Sequence, residues 1–187
     1  MSPASGRRAA RQAGQTLVQT ALVIAVVGAV LAVFVPTFFR TLRTSKLAEA
    51  PEQLALLHSA AAAYYGATFE TDTGRVRSCF PPAAGPTPTK ASYKGEEVDF
   101  AHEETRGRET WSALGYQPDR PIRFRYSFIP AKEGCGVRGG RAKIDLTLRA
   151  EADLDADGRY SLFERNYAIV DHELKPVGVL YTRDRTE

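Results

Sequence analysis

From Gln12 to Phe39 the chain carries no charged side chain. Few features restrict folding as strongly. As a helix, Thr16 to Phe39 spans about 36 Å, longer than a hydrocarbon core of about 30 Å. Its β-branched, alanine and glycine content suits lipid, where every backbone hydrogen bond must close within the segment. The run ends in Pro36, two phenylalanines and Arg40 rather than in a small-residue cleavage site, so a retained transmembrane helix is predicted rather than a discarded signal.

Residues 1–14 are small, polar and basic, and read as a disordered or processing leader. They hold Arg7, Arg8 and Arg11 and no acid. Without those three arginines, 22 bases face 22 acids. The net positive charge therefore belongs to the leader and gives no reason to expect a nucleic-acid partner. Arg40, Arg43 and Lys46 follow the apolar run, so flanking charge sets its orientation only weakly.

Beyond Arg40 the pattern becomes one-sided. Leu47, Ala50, Leu54, Leu57, Ala61 and Tyr64 recur three and four apart, one stripe of an amphipathic helix. One long helix to about residue 65 is predicted, with Pro51 its weak point unless a break there starts a new turn. The remainder reads as strands. Ile122, Phe124, Tyr126 and Phe128 alternate with Arg123, Arg125 and Ser127; Ile144, Leu146 and Leu148 repeat the alternation; "YSLFERNYAIVD" and "KPVGVLYTR" follow. "GRVRSCFPPAAGPTPTK" is expected to be a loop, and "TWSALGYQP" a helical turn or tight connection. The fold class is thus α+β: a long N-terminal transmembrane helix whose C-terminal half covers a small antiparallel sheet of about four strands. Its parts are a leader (1–14), a long helix (15–65) with its membrane half at 16–39, and a β-rich exported domain (66–187).

Cys79 and Cys135 both lie beyond the apolar run. A lone pair in an exported domain reads as a disulfide, whereas in a cytosolic one it reads as two buried thiols. "DLDADGRYSLFE" fits a twelve-residue calcium-loop pattern, with candidate ligands Asp153, Asp155, Asp157, Arg159, Ser161 and Glu164. Three aspartates at alternate positions repel in water, and Ca2+ would remove that cost. The flanks are strand-like, so a solvated hairpin turn is the competing reading.

Enzyme signals are weak. His58, His102 and His172 have no metal-site spacing. Glu96–Glu97 and Glu103–Glu104 read as solvated loop. "GVRGG" (136–140) lacks the strand–glycine–helix context of a phosphate cradle, and Trp111, Tyr116, Phe124 and Tyr126 read as core. No nucleophile has a base beside it, and catalysis is not expected.

A basic leader ending in glycine, an uncharged helix directly behind it and a striped helix over a small sheet together resemble the type IV pilin and type II secretion pseudopilin superfamily. "GQTLVQTALV" is also similar to the start of the tight-adherence pseudopilins. The resemblance implies cleavage after Gly14 by a prepilin peptidase, leaving Gln15 as a methylated terminus, with Thr16 and Leu17 matching the family's "TL". Pro36 falls where these helices commonly carry proline. A disulfide and a calcium loop would also be in keeping. Most major pilins carry glutamate five residues beyond the cut, to pair with a neighbour's terminal amine. Gln19 stands there and cannot neutralise an ammonium. A minor or divergent filament subunit is therefore implied.

Its partners would be other pilin-like subunits, the peptidase, inner-membrane assembly machinery and membrane lipid. It would wait in the inner membrane as a single-pass protein with its C-terminal domain in the periplasm, then enter a filament. Ala25, Gly28, Ala29 and Ala32 would allow close helix approach, with an ordinary lipid-facing helix as the competing reading. The alternative function is a single-pass anchored domain that binds calcium or a partner and never polymerises.

Overall fold

Local sequence preference carries the first helix back into the basic stretch before Gly14. The computed structural model describes residues 6–72, 74–139 and 144–184; within the first helix the side chains of residues 6–16 and 39–45 lie outside that description. Helix α1 runs Gly6–Leu47, with Pro36 inside it. It therefore takes in part of the stretch that the sequence reads as a disordered or processing leader. Arginine, alanine and glutamine are good helix formers, and no breaker stands among residues 7–13.

Helix α2 spans Glu49–Gly66. The two helices are separate elements, parted at Ala48, rather than one helix to residue 65. Pro51 falls in the first turn of α2, where a missing N–H removes no helical bond. The chain divides into compact units Met1–Ser45 and Lys46–Glu187, so α2 belongs to the second.

In that second unit, Ala50, Gln53, Leu54, Leu57, Ala61 and Tyr65 form the buried face of α2. The stripe is as expected through Ala61. At its ends Leu47 and Tyr64 are only partly buried, and Tyr65 occupies the inward position instead. Strands β1 (Thr68–Thr71) and β2 (Gly74–Arg77) form a separate antiparallel hairpin. Strand β3 (Ala84–Thr87) comes next, followed by helix α3 (Arg108–Leu114), which is the turn expected around Trp111. Strands β4 (Arg125–Pro130), β5 (Leu146–Ala152), β6 (Ser161–Val170) and β7 (Glu173–Arg183) complete the chain.

The main sheet is antiparallel in the order β3-β4-β5-β6-β7, five strands rather than four. The additional strand, β3, lies inside the segment expected to be loop, and so does β2, whose GRVR opens that segment. Gly85 makes β3 possible. Its φ is +101°, and a Cβ there would collide with the Tyr126 carbonyl oxygen and sit 2.8 Å from the Ser127 Cα. Only glycine lets β3 lie this close to β4.

Leu146, Leu148, Ala150 and Ala152 of β5 point into the core, with Thr147, Arg149 and Glu151 half-buried between them. Ile144 departs from that alternation: it precedes β5 and is exposed. Ile122, Phe124, Tyr126 and Phe128 are all buried as expected, although β4 starts only at Arg125. Phe100, Trp111 and Tyr116 stack edge to face near α3, with ring centroids 5.2 Å apart on both sides of Phe100. The sheet, α2 and α3 thus share one core.

Candidate functional site

The apolar helix has the simplest chemistry. Leu17–Phe38 is 22 residues with a mean hydropathy of 2.6, long and apolar enough to cross a membrane. Its side chains are exposed throughout. Ala25, Gly28, Ala29, Ala32 and Pro36 recur at helical spacing on one face. A Cβ added at Gly28 would meet nothing within 4 Å. The Thr37 hydroxyl donates to the Val33 carbonyl at 2.8 Å, which satisfies a polar group locally. Gln19 is exposed on α1. Gly14 and Gln15 fall within the helical residues, but their side chains lie outside the described set.

Cys79 and Cys135 are joined by a disulfide across a sequence separation of 56. The bridge lies beside a short backbone pairing in which Phe80 and Gly134 exchange two N–H···O bonds of 2.9 Å. It ties the segment before β3 to the β4–β5 connection.

The acidic loop joins β5 to β6 as a hairpin, not as the two helices of an EF-hand. Asp153, Asp155 and Asp157 bring carboxylate oxygens within 4.8 Å of one another. The backbone curls to hold them. Asp153 accepts from the N–H groups of Asp157 (3.1 Å) and Gly158 (3.0 Å), and Asp157 accepts from the Arg159 N–H at 2.7 Å.

Two expected ligands are committed elsewhere. Glu164 lies on β6, where both Nε and Nη2 of Arg149 donate to it at 3.1 and 2.8 Å. The buried Ser161 hydroxyl donates to the Ala152 carbonyl at 3.0 Å. Arg159 reaches back with its guanidinium to within 3.9 Å of Asp157. The loop therefore offers three carboxylates, and a hard cation with six or more oxygen ligands would take the rest from backbone or water.

One polar cluster escapes sequence reading. Glu49 is buried at the start of α2 and accepts hydrogen bonds from the N–H groups of Arg123 (2.7 Å) and Phe124 (3.2 Å) and from the Tyr126 hydroxyl (3.1 Å). Arg123 adds an ion pair at 3.4 Å. One turn on, Gln53 accepts from the Tyr116 hydroxyl at 2.9 Å. Burial, with the Glu49 charge as a smaller cause, raises the Tyr116 pKa well above its ordinary value. Tyr126 is raised likewise, chiefly by burial and then by Tyr116 and Glu49. The signal lay in the helical register, which places Glu49 and Gln53 beside Ala50 and Leu54 on the inward face. The cluster ties the start of α2 to the chain around β4 and to Tyr116 behind α3.

The histidines do not converge: His58 donates to the Leu174 carbonyl at 3.0 Å and stacks on Tyr167, while His102 accepts from its own loop. The paired glutamates at 96–97 and 103–104 are exposed. No protein-family model, curated protein or solved structure matches this chain.

Proposed function

We propose that this chain is a filament subunit of the type IV pilin or pseudopilin kind, cut after Gly14 and assembled through its N-terminal helix. One observation carries the reading. A charge-free, exposed helix with a face of small residues directly follows a basic stretch ending in glycine. It precedes a compact unit in which a second helix covers an antiparallel sheet. An apolar helix of this kind waits in lipid at low cost. It can then exchange lipid contacts for neighbouring helices, because small residues let backbones approach. In this reading the disulfide-bonded unit lies outside the inner membrane and becomes the filament surface. Gln19 brings no charge into lipid, and equally gives a neighbour's terminal amine no counter-ion.

Intact-mass measurement of the membrane-extracted chain tests the reading. Loss of residues 1–14, with a methyl group on Gln15, is the expected result. A full-length mass in a strain with an active prepilin peptidase would leave the alternative, an anchored domain that does not polymerise.

The three clustered carboxylates favour one addition, that the acidic loop takes Ca2+ with Asp153, Asp155 and Asp157 as its protein ligands.

A further inference from the structure

On the second unit, three separate segments place basic side chains around one hollow of about 600 Å³. Arg75 and Arg77 come from β2, Arg138 from the segment behind the disulfide, and His172 from the β6–β7 turn. The β2 positions alternate, so Arg75 and Arg77 share one face of the hairpin and Val76 takes the other. Across the ladder Arg75 is opposite Glu70 and pairs with it at 3.3 Å. Arg77 is opposite Thr68, which is neutral. Among the described residues neither Arg77 nor Arg138 has an ion-pair partner.

The backbone beneath these side chains is firmly held. Gly136 N–H donates to Arg77 O at 3.0 Å and Val137 N–H to Ser78 O at 2.9 Å, next to the Cys79–Cys135 bridge. The Tyr65 hydroxyl clamps Val137 O from α2 at 2.8 Å. Ser78 and His172 hold left-handed φ values of 56° and 64°. Such strain costs of order 1–3 kcal/mol at each position and persists only where the surroundings impose it. Cations gathered in one hollow repel one another, and a bound anion relieves that repulsion. Guanidinium forks match the oxygens of a tetrahedral oxyanion, and His172 and Ser78 add further donors.

We propose that this hollow is a binding site for a phosphate monoester or inorganic phosphate, gripped by Arg77 and Arg138 with Arg75 and His172 alongside. The site belongs to the folded unit and does not depend on whether the chain polymerises.

The full chain in an uncharged detergent is heated with increasing sodium phosphate, against sodium chloride at matched ionic strength. Phosphate should raise the melting temperature saturably, and chloride should not. A second arm uses micelles doped with phosphatidic acid. A response there at lipid levels far below the effective phosphate concentration assigns the occupant to a lipid headgroup; a response to free phosphate alone assigns it to a soluble one. Arg77→Gln and Arg138→Gln should each weaken the midpoint about tenfold, the loss expected for one charged hydrogen-bonding group. Arg77→Lys, which keeps charge but not the fork, should fall between. Neither position is buried, so unliganded melting should stay near wild type. Absence of a saturable shift in both arms, or a shift undiminished in the double glutamine variant, overturns the site.

Discussion

Glu49 fixes α2 to the chain around β4, because two backbone N–H groups, the Tyr126 hydroxyl and the Arg123 guanidinium all donate to its one carboxylate. Glu49→Ala would leave two backbone N–H groups and a hydroxyl buried without an acceptor. About 3 kcal/mol or more should be lost, read as a lower urea midpoint at unchanged slope. Glu49→Gln keeps one acceptor oxygen and should cost less. Equal losses in the two variants would show that the carboxylate charge, which both remove, matters here rather than the retained acceptor oxygen or the side-chain volume. The raised pKa values of Tyr116 and Tyr126 set a pH dependence with a definite sign. Below pH 10.0, the ordinary tyrosine value, folded and unfolded chains both keep these protons. Above it the unfolded chain releases them and the folded chain does not, so stability falls. Two tyrosines give a slope of about 2.7 kcal/mol per pH unit. Urea titrations above pH 10 check this, and Tyr116→Phe should roughly halve the slope.

Among the elements, those with long, regular apolar patterns were legible. The stripe from Ala50 to Ala61 and the alternation of β5 follow from hydrophobic period, and β6 and β7 fall on the two apolar runs that come after the acidic turn. β3 was not legible, because four residues containing glycine and proline have no period to read, and the strand exists only through the close approach at Gly85. Ile144 misled for the opposite reason: a correct period was extended one pair beyond the strand's end. At the acidic loop, the motif suggested six ligands while the hairpin brings three carboxylates together, since Ser161 and Glu164 already belong to β6 and the Arg159 side chain is itself a cation. A calcium site with so few protein ligands should be weak, with a dissociation constant of order 10⁻³ M. Millimolar CaCl2 should raise the melting temperature of the full chain, and Asp155→Ala should abolish the rise. A wild-type chain indifferent to calcium would remove the metal from this loop.

At the scale of the whole molecule, the second unit starts at Lys46, well before its first strand. A fragment of residues 46–187 should therefore melt cooperatively as a soluble protein. A fragment of residues 66–187 loses Leu54 and Leu57, each contributing about 2–3 kcal/mol of burial, together with Glu49 and the Tyr65 clamp. It should show no cooperative transition. If both fragments melted alike, α2 would be a cover the sheet can do without. The disulfide adds a constraint of the same scale: closing so long a loop is worth about 4 kcal/mol in the chain-entropy model. No periodicity in the sequence pointed to the basic hollow, because its members come from three distant segments that only the fold brings together.

The position of α2 also bears on the order of assembly. It leaves the ribosome before any strand that will cover it, and its partners in the sheet lie far downstream, Leu174 being 116 residues beyond His58. Contacts within α2 cannot hide Leu54, Leu57 and Ala61 during synthesis, so the face that meets the sheet stays open until β5 has been made, even after α3 is in place. Long-range closure of this kind slows folding and lengthens the time an apolar stripe is open to wrong partners. Within the second unit, a chaperone that grips short apolar helices should therefore find its longest-lived target at residues 50–61, before the disulfide has formed.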